Sequence, residues 1–241
     1  MISVCLASFN GAPYIREQIA SILSQLGPGD ELIVSDDGSS DGTPDIIRGL
    51  NDVRVRLLSG HERVGVVQNF ERAILASVGE IIFLSDQDDV WLPGKVEACL
   101  ATLKSNILVV TDCRVVDADL RVTHDSFFAF RGSRPGILSN IFRNTYLGCC
   151  MAFRRELLGA ALPLPARVPM HDMWLGLVAE TVGRVAFIST PYLLFRRHGK
   201  NASPTYKEKN PFGVMAKLSY RLLLMRLLLA RVLKNKIKGT A

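Results

Sequence analysis

The sequence predicts an α/β fold in which a mostly parallel central sheet is flanked by helices. Short apolar runs alternate with segments of helical spacing through the first half of the chain, the pattern of a parallel sheet covered by helices. Turn residues such as Asn10-Gly11 and Gly27-Pro28-Gly29 separate these segments. A chain of 241 residues, 48% hydrophobic and 22% charged, is also large and apolar enough to bury a substantial core.

The first half contains four predicted strands and three predicted helices. The strands are 2–8, 31–35, 53–58 and 81–84, and the helices are 14–25, 45–50 and 66–77. In the first helix Ile15, Ile19 and Ile22 recur at helical spacing with polar residues between them. The second helix starts at Thr43-Pro44, where we expect Thr43 to be the N-cap and the proline to occupy the first turn.

The second half is less regular. We expect strands at 107–111, 146–153, 185–188 and 192–195, helices at 156–161 and 173–181, and a loop or hairpin over 117–136. From Phe212 onward the chain is predicted to be one helix.

The positive charge of the chain is concentrated in its C-terminal tail. Residues 207–241 contain nine Lys or Arg and one acid, whereas the remaining 206 residues contain 20 basic and 22 acidic side chains. A folded body without basic excess is not expected to bind nucleic acid. The apolar stretch 222–233 is too short and too charged to span a membrane. We therefore expect a basic amphipathic helix on an anionic membrane surface, with packing on the body or in a dimer as the alternative.

The five cysteines favour a reducing compartment. Their number is odd and they form no CxxC pair, so we expect reduced structural thiols, including a buried Cys149-Cys150 pair. The first residues lead directly into a strand without a basic leader, so no signal peptide is expected. We expect the protein to be cytoplasmic and peripheral on the inner face of the cytoplasmic membrane.

The first candidate functional motif is Ser35–Thr43, which follows a strand and opens a helix. In parallel α/β sheets, ligands bind at the carboxyl ends of the strands. Asp36 and Asp37 can accept hydrogen bonds from a ribose or a base, and Gly38 and Gly42 permit tight turns. The chain has neither a P-loop nor a GxGxxG sequence. An acid-rich turn that caps a helix explains the motif equally well.

The second motif is Leu84–Trp91, where three acids follow a core strand. Asp86 and Asp88 share one face of an extended segment, and two such carboxylates repel each other unless a cation joins them. Mg²⁺ and Mn²⁺ prefer oxygen ligands and often bridge a carboxylate to phosphates. A solvated acidic loop is the alternative.

Two further motifs lie in the second half. Asp172 stands at the start of a predicted helix, where it is either a general base or an acid favoured by the helix dipole. Residues 196–201 offer His198 as a metal ligand and two arginines for phosphate, or form an ordinary basic loop.

The order of these motifs resembles glycosyltransferase family 2, whose members are inverting enzymes with the Rossmann-like GT-A fold. The matching pieces are Ser8–Gly11 with Tyr14-Ile15, Ser35–Thr43, Gly65 with Asn69-Phe70, Leu84–Trp91, Gly148-Cys149, His171-Asp172, and Arg196–His198 with Asn201. They span about residues 1–203. The sequence 85–91 together with 171–174 looks most like the rhamnosyltransferase-type branch, which uses dTDP-L-rhamnose to build bacterial surface and cell-wall polysaccharide.

The resemblance implies a role for individual residues. It implies that the nucleoside is held by Ser8, Asn10, Asp36 and Asp37, with Asn69 nearby. It also implies a donor contact at the ribose for Asp86, a Mg²⁺ or Mn²⁺ site at Asp88 and His198, and a catalytic base at Asp172. Gly148-Cys149 would line the acceptor side, and Arg197 stands where many relatives have Gln.

The implied domain is residues 1–205, with a nucleotide-sugar-binding half (1–115) and an acceptor-side half (116–205), followed by the tail 206–241. Its implied partners are a nucleotide-sugar donor and a glycan or lipid-linked acceptor. Alternatives are a hexosyltransferase that uses UDP-glucose or UDP-galactose, a sugar-phosphate nucleotidyltransferase and a non-catalytic binding protein. The nucleotidyltransferase is disfavoured because Ser8–Tyr14 lacks a basic Gly-rich loop, and the binding protein because Asp88 and Asp172 are both present.

Overall fold

The structure is a computed structural model that describes residues 1–60, 62–166, 168, 170–199, 201 and 214–239. Side chains of the C-terminal helix are described over 219–235. The expected boundary between body and tail at 205/206 lies outside the described residues, as does the expected helix start at Phe212.

One sheet of nine strands forms the centre of the molecule. The strands are β1 Ile2–Ser8, β2 Glu31–Asp36, β3 Val55–Ser59, β4 Ile81–Asp86, β5 Val90–Trp91, β6 Leu108–Val116, β7 Val122–His124, β8 Met151–Arg154 and β9 Val185–Arg196. The helices are α1 Ile15–Leu23, α2 Thr43–Arg48, α3 Val66–Ala76, α4 Lys95–Leu103, α5 Phe127–Arg131, α6 Ile137–Phe142, α7 Leu157–Ala161, α8 His171–Val182 and α9 Val214–Gly239. The strand order is β3-β2-β1-β4-β8-β6-β9-β5, and β7 pairs with β6.

The first half of the sheet is parallel, as the sequence predicts. Strands β3, β2, β1 and β4 lie side by side in parallel register, and the central residues of β1, β2 and β4 are fully buried. Ser8 pairs with Asp36, and Ala7 pairs with Asp86. The polar residues at the carboxyl ends of three strands therefore meet at one edge of the sheet.

The second half mixes strand directions. β8 runs antiparallel between β4 and β6, whereas β9 runs parallel to β6. The short strand β5 pairs antiparallel with the end of β9, with Val90 opposite Leu194. This pairing brings the acidic loop after β4 next to the residues that follow β9.

Several local predictions were wrong. The expected strand over 146–153 is a 3₁₀ turn at Gly148–Cys150, and only then does β8 begin. Gly42, with φ +84°, precedes α2, so Thr43 is its first residue and not its N-cap. The Thr43 hydroxyl instead accepts a hydrogen bond from the Gly11 amide and bonds to Asp41. The expected strands 185–188 and 192–195 are one continuous strand, and α4 was not predicted.

The cysteine prediction is confirmed, since all five thiols are free and buried. No pair of them forms a disulfide, and none is exposed at the surface of the protein.

Helix α9 packs against α6, α7 and α8. Leu224 and Leu228 are buried at this contact. Arg231 donates hydrogen bonds to the carbonyl oxygens of Ala160 and Leu162 and lies over the Trp174 ring at 5.3 Å. One face of the described helix therefore packs on the body, as the alternative interpretation predicts. Among the described helices, none has the length and apolar character needed to cross a membrane.

Candidate active site

A cavity of about 290 Å³ opens at the carboxyl edge of β1, β2 and β4. This is where ligands bind in open α/β sheets. Six of the predicted site residues line it: Ser8, Asp37, Asn69, Asp86, Asp88 and Asp172. The structure thus brings together side chains that are far apart in the sequence.

The side of the cavity at the end of β2 is held by hydrogen bonds within the chain. The buried Asp37 carboxylate accepts from the amides of Val64 and Gly65 at 2.8 and 2.9 Å. Asn69 accepts from the Ser35 hydroxyl at 2.7 Å and donates to the Ser35 carbonyl at 2.8 Å. Both side chains are fixed before any ligand arrives.

Asp36 and Asn10 are not among the residues that line the cavity. The Asp36 carboxylate is buried and accepts from the hydroxyls of Ser8 and Ser39 at 2.8 and 2.6 Å. Asn10 lies in an exposed turn, where its side-chain oxygen accepts from the Ser40 amide. Both residues shape the loop between β2 and α2. A direct ligand contact for either one stays a prediction.

The metal residues predicted from the sequence lie together. The Asp88 carboxylate is 2.8 Å from Nε2 of His198 and accepts from the Asn201 amide nitrogen at 3.0 Å. The His198 ring stacks on Tyr14 with centroids 4.7 Å apart. His198 is therefore held at the acidic loop although it is 110 residues away in the chain.

Arg196 fixes this loop, and sequence reasoning missed its role. The side chain is buried, donates through Nε to the Asp88 carbonyl at 2.8 Å and forms an ion pair with Glu17. Its backbone amide donates to Asp89 at 3.0 Å. Asp89 thus joins the loop to β9, which gives the third acid a structural role.

The acidic loop after β4 crowds buried carboxyl groups together. Burial, followed by the charges of Asp88 and Asp172, raises the pKa of Asp86 to about 7. Burial and then Asp88 and Asp86 raise the pKa of Asp89 well above its ordinary value. Closely spaced acids in a buried site favour a cation.

Asp88 offers the carboxylate oxygens that suit Mn²⁺ or Mg²⁺, and Nε2 of His198 lies beside them as a second potential ligand atom. A second group, Asp86, Asp89 and Cys149, has potential ligand atoms within 4.8 Å of one another. Burial raises the pKa of Cys149 well above its ordinary value, and a protonated thiol is a poor ligand for hard cations. The donor set at Asp88 therefore fits the implied metal better.

Asp172 lies in the first turn of α8 and faces the cavity. Its carboxylate accepts from the amides of Gly148 and Met173 at 3.2 and 2.5 Å. Burial raises its pKa to about 6. An acid with this pKa is ionised at neutral pH and is still basic enough to accept a proton.

His171 is a further wall residue that the sequence did not single out for a role. It is buried and stacks on Phe70 with centroids 3.9 Å apart. Burial lowers its pKa to about 3, so the ring is neutral. A Cβ on Gly148 would lie 2.8 Å from Nε2 of His171, which explains the glycine at that position.

Gln87, which stands between Asp86 and Asp88 in the sequence, holds the cavity wall at Phe9 in place. Its side chain accepts from the Phe9 amide at 2.8 Å and donates to the Phe9 carbonyl at 3.1 Å. Arg63 lies over the Phe9 ring at 4.0 Å and also lines the cavity. Phe9 and Gln87 were predicted only as parts of longer motifs, and no role was predicted for Arg63.

The model of the glycosyl transferase family 2 matches residues 3–161 of the chain. The chain is 32% identical over 108 residues to the UDP-Glc:alpha-D-GlcNAc-diphosphoundecaprenol beta-1,3-glucosyltransferase WfgD of Escherichia coli, covering 44% of this chain and 43% of that protein. It is 32% identical over 99 residues to the putative teichuronic acid biosynthesis glycosyltransferase TuaG of Bacillus subtilis, covering 40% and 39%. The chain thus matches less than half the length of these curated relatives.

Solved structures share the fold. S. aureus TarS 1–349 in complex with UDP-GlcNAc superposes with a TM-score of 0.70 at 19% identity, covering 95% of this chain and 66% of that one. The mannosyltransferase PcManGT from Pyrobaculum calidifontis, in complex with GDP-Man and Mn²⁺, superposes with a TM-score of 0.60 at 23% identity, covering 81% and 56%. The predicted GT-A fold is confirmed.

Proposed function

The chain belongs to glycosyltransferase family 2, and from that membership we propose that it is an inverting, metal-dependent transferase. It moves a sugar from a nucleotide-sugar donor to a hydroxyl of a glycan or lipid-linked glycan. One observation carries this proposal: a single cavity holds Asp37 and Asn69, Asp86 and Asp88, and Asp172. These are a nucleoside side, a diphosphate side and a base.

The donor lies with its nucleoside against Ser8, Asp37 and Asn69 and its diphosphate toward the loop at Asp88. The first three residues are fixed by the chain, so they bind without reorganisation. Asp88 and His198 would hold a divalent cation, which would supply positive charge for the departing diphosphate.

Asp172 takes the proton of the acceptor hydroxyl as the hydroxyl oxygen attacks the anomeric carbon. The bond from that carbon to the diphosphate breaks, and the nucleoside diphosphate leaves with the electron pair. Attack from the opposite face inverts the anomeric centre in one displacement. Such base catalysis contributes about 10²–10⁴-fold.

The relatives guide the choice of donor and acceptor. WfgD, by its name, uses UDP-Glc on a GlcNAc-diphosphoundecaprenol acceptor. UDP-glucose and a diphosphate-linked lipid acceptor are therefore the first pair to try, within bacterial surface polysaccharide synthesis at the inner face of the cytoplasmic membrane. dTDP-L-rhamnose is the second donor, because residues 85–91 and 171–174 resemble the rhamnosyltransferase-type branch.

The division into a donor half (1–115) and an acceptor half (116–205) is part of the same proposal. Asp37 and Asp88 lie in the first half and Asp172 in the second, and all three line one cavity.

A donor screen tests the proposal. UDP-glucose, UDP-galactose, dTDP-rhamnose and GDP-mannose are incubated with GlcNAc-diphosphoundecaprenol, with Mn²⁺, Mg²⁺ or EDTA. We expect one donor to give metal-dependent glycan product with an inverted anomeric centre by NMR. Donor binding without transfer under every condition would instead identify a binding protein. Release of pyrophosphate from a nucleoside triphosphate and a sugar phosphate would identify a nucleotidyltransferase.

A further inference from the structure

The docked helix α9 keeps a second apolar face in solvent. Leu222, Arg226, Leu229 and Leu233 recur at intervals of three and four residues and therefore lie on one side of the helix. The three leucines are 47%, 63% and 62% exposed. Another side of the helix is the one buried on the body, so the helix is apolar on two faces.

Helix α6 continues this exposed surface. Leu138 and Phe142 are 69% and 62% exposed at an open groove of about 680 Å³. Arg221 of α9 donates to the Phe142 carbonyl at 2.9 Å and lies over its ring at 4.9 Å. The two helices are thus joined beside Leu222. We name their exposed apolar residues the outer face: Leu138, Phe142, Leu222, Leu229 and Leu233.

Positive charge surrounds the outer face. The groove on α6 is lined by Arg134 and Arg143, and α9 adds Arg221 and Arg226. Among the ion pairs of the described residues, none involves these four arginines. Residues 214–239 contain no Asp or Glu.

The nearby acid Glu180 is already engaged, since its carboxylate accepts from the Gly136 amide at 2.7 Å and from the Tyr146 hydroxyl. Burial, and after it the like charge of Arg143, lowers the pKa of Arg131. The groove beside α6 therefore favours an anionic partner.

We propose that the outer face docks on the surface of an anionic lipid bilayer. Its leucines and Phe142 enter the boundary between headgroups and acyl chains, and the surrounding arginines contact headgroup phosphates. An exposed apolar patch beside arginines that form no ion pair among the described residues is more favourable at an anionic bilayer surface than in water. The inference rests on the proposed function and deepens its membrane location, because it assigns the surface to two helices.

The body-facing side of α9 reaches the first turn of α8. The Tyr220 hydroxyl on α9 lies 3.3 Å from the sulfur of Met173, the residue after Asp172. Burial and then the charge of Asp172 raise the pKa of Tyr220 to about 12. Leu222, two residues further along, points about 200° away from Tyr220, so α9 itself lies between the outer face and the Asp172 end of α8.

Vesicle sedimentation of the full chain tests the proposal, with phosphatidylglycerol vesicles compared with phosphatidylcholine vesicles. We expect the wild type to bind the anionic vesicles and to be released by about 0.5 M salt, since exposed charges are screened at about 0.1 M and above. L229S/L233S and L138S/F142S should each lower the bound fraction by about fivefold or more, given the apolar area that each removes.

Matched controls keep the effect specific. L75S/V78S removes two side chains of similar exposure, 67% and 64%, at the end of α3. It should leave vesicle binding unchanged. R134Q/R143Q should weaken binding to anionic vesicles, whereas R48Q/R121Q removes two exposed arginines elsewhere and should not.

Donor binding, measured on every variant, separates this inference from the proposed activity. It should stay at the wild-type value, because the outer face does not line the cavity. If a folded L229S/L233S variant bound vesicles as well as the wild type, the inference would be overturned. If the double substitution lowers Tm, the single variant L233S is tested in its place. A dimer that L229S/L233S dissociates while vesicle binding persists would overturn it as well and identify a dimer interface.

Discussion

The two sides of the cavity are both built from aspartates, yet they are built differently. At the end of β2, Asp37, which lines the cavity, and Asp36, which does not, each accept two or more hydrogen bonds from backbone amides or hydroxyls. On the reactive side, burial raises the pKa of Asp86, Asp89 and Asp172. The first side is satisfied by hydrogen bonds within the chain, whereas the second crowds acids whose ionisation is disfavoured until a cation joins them. Binding and chemistry are thus assigned to separate groups of carboxylates.

The largest expected effect comes from D172N. The amide cannot accept the acceptor proton, so turnover should fall about 10²–10⁴-fold. The affinity for the donor should stay within about twofold, because a base acts on the acceptor proton in the transition state and not on the bound donor. Single-turnover kinetics and calorimetry on the same preparation measure both. D45N removes an exposed acid of α2 and should keep full turnover. Near-normal turnover of D172N would show that another group is the base.

D37A should weaken donor binding more than turnover, the reverse of the result expected for D172N. It removes a buried carboxylate from the amides of Val64 and Gly65, and such charged bonds are worth about 1.5–3 kcal/mol each. The free energy of unfolding should drop by about 3 kcal/mol or more and donor affinity by about tenfold or more, while turnover at saturating donor changes less. Urea unfolding and donor titration check this. A loss of turnover with unchanged donor affinity would contradict the assignment.

A pH profile sharpens the comparison further. Asp172 must be ionised to accept a proton, and burial places its pKa at about 6. Turnover at saturating donor should rise with pH to a plateau with its midpoint near that pKa, and one pH unit below it turnover should be about tenfold lower. A profile that is flat between about pH 5 and 8 would exclude this base.

The smallest expected effect is a gain in stability from D89N. Because burial raises the pKa of Asp89 in the folded state, the folded protein holds a proton that the unfolded chain releases above its ordinary pKa near 4. The carboxyl thus favours folding at low pH and loses that benefit as the pH rises. The substituted side-chain amide should still accept from the Arg196 backbone amide and raise the unfolding free energy at about pH 7 by about 1 kcal/mol. The difference should vanish below about pH 4, and a D89N protein less stable than the wild type at neutral pH would contradict this.

The sequence predicted the parallel half of the sheet well because its determinants are local. Apolar runs define β1, β2 and β4, and parallel strands necessarily end at one edge, so Asp37 and Asp86 had to be neighbours. The partner of Asp88 came from the resemblance, since the contact with His198 depends on pairing between β5 and β9. No periodicity encodes such a distant pairing.

Other features could not be predicted because they depend on packing. The glycine at position 148 follows from the space that His171 occupies, which no local propensity encodes. The apolar residues of α9 were assigned to the membrane or to the body, because composition does not show that a helix has two apolar faces. Arg196 looked like part of a basic loop, whereas burial makes it the anchor of the acidic one.

Calorimetric titration of UDP and dTDP, with Mn²⁺ or with EDTA, tests the division between the two sides most directly. In the wild type, Mn²⁺ should tighten binding of the preferred nucleotide at least about tenfold. D88N should abolish that difference, whereas D37N should weaken binding equally under both conditions. Equal wild-type affinities with and without Mn²⁺ would contradict the proposed separation of a nucleoside site at Asp37 from a metal site at Asp88. A D37N variant that loses the Mn²⁺ effect would contradict it as well.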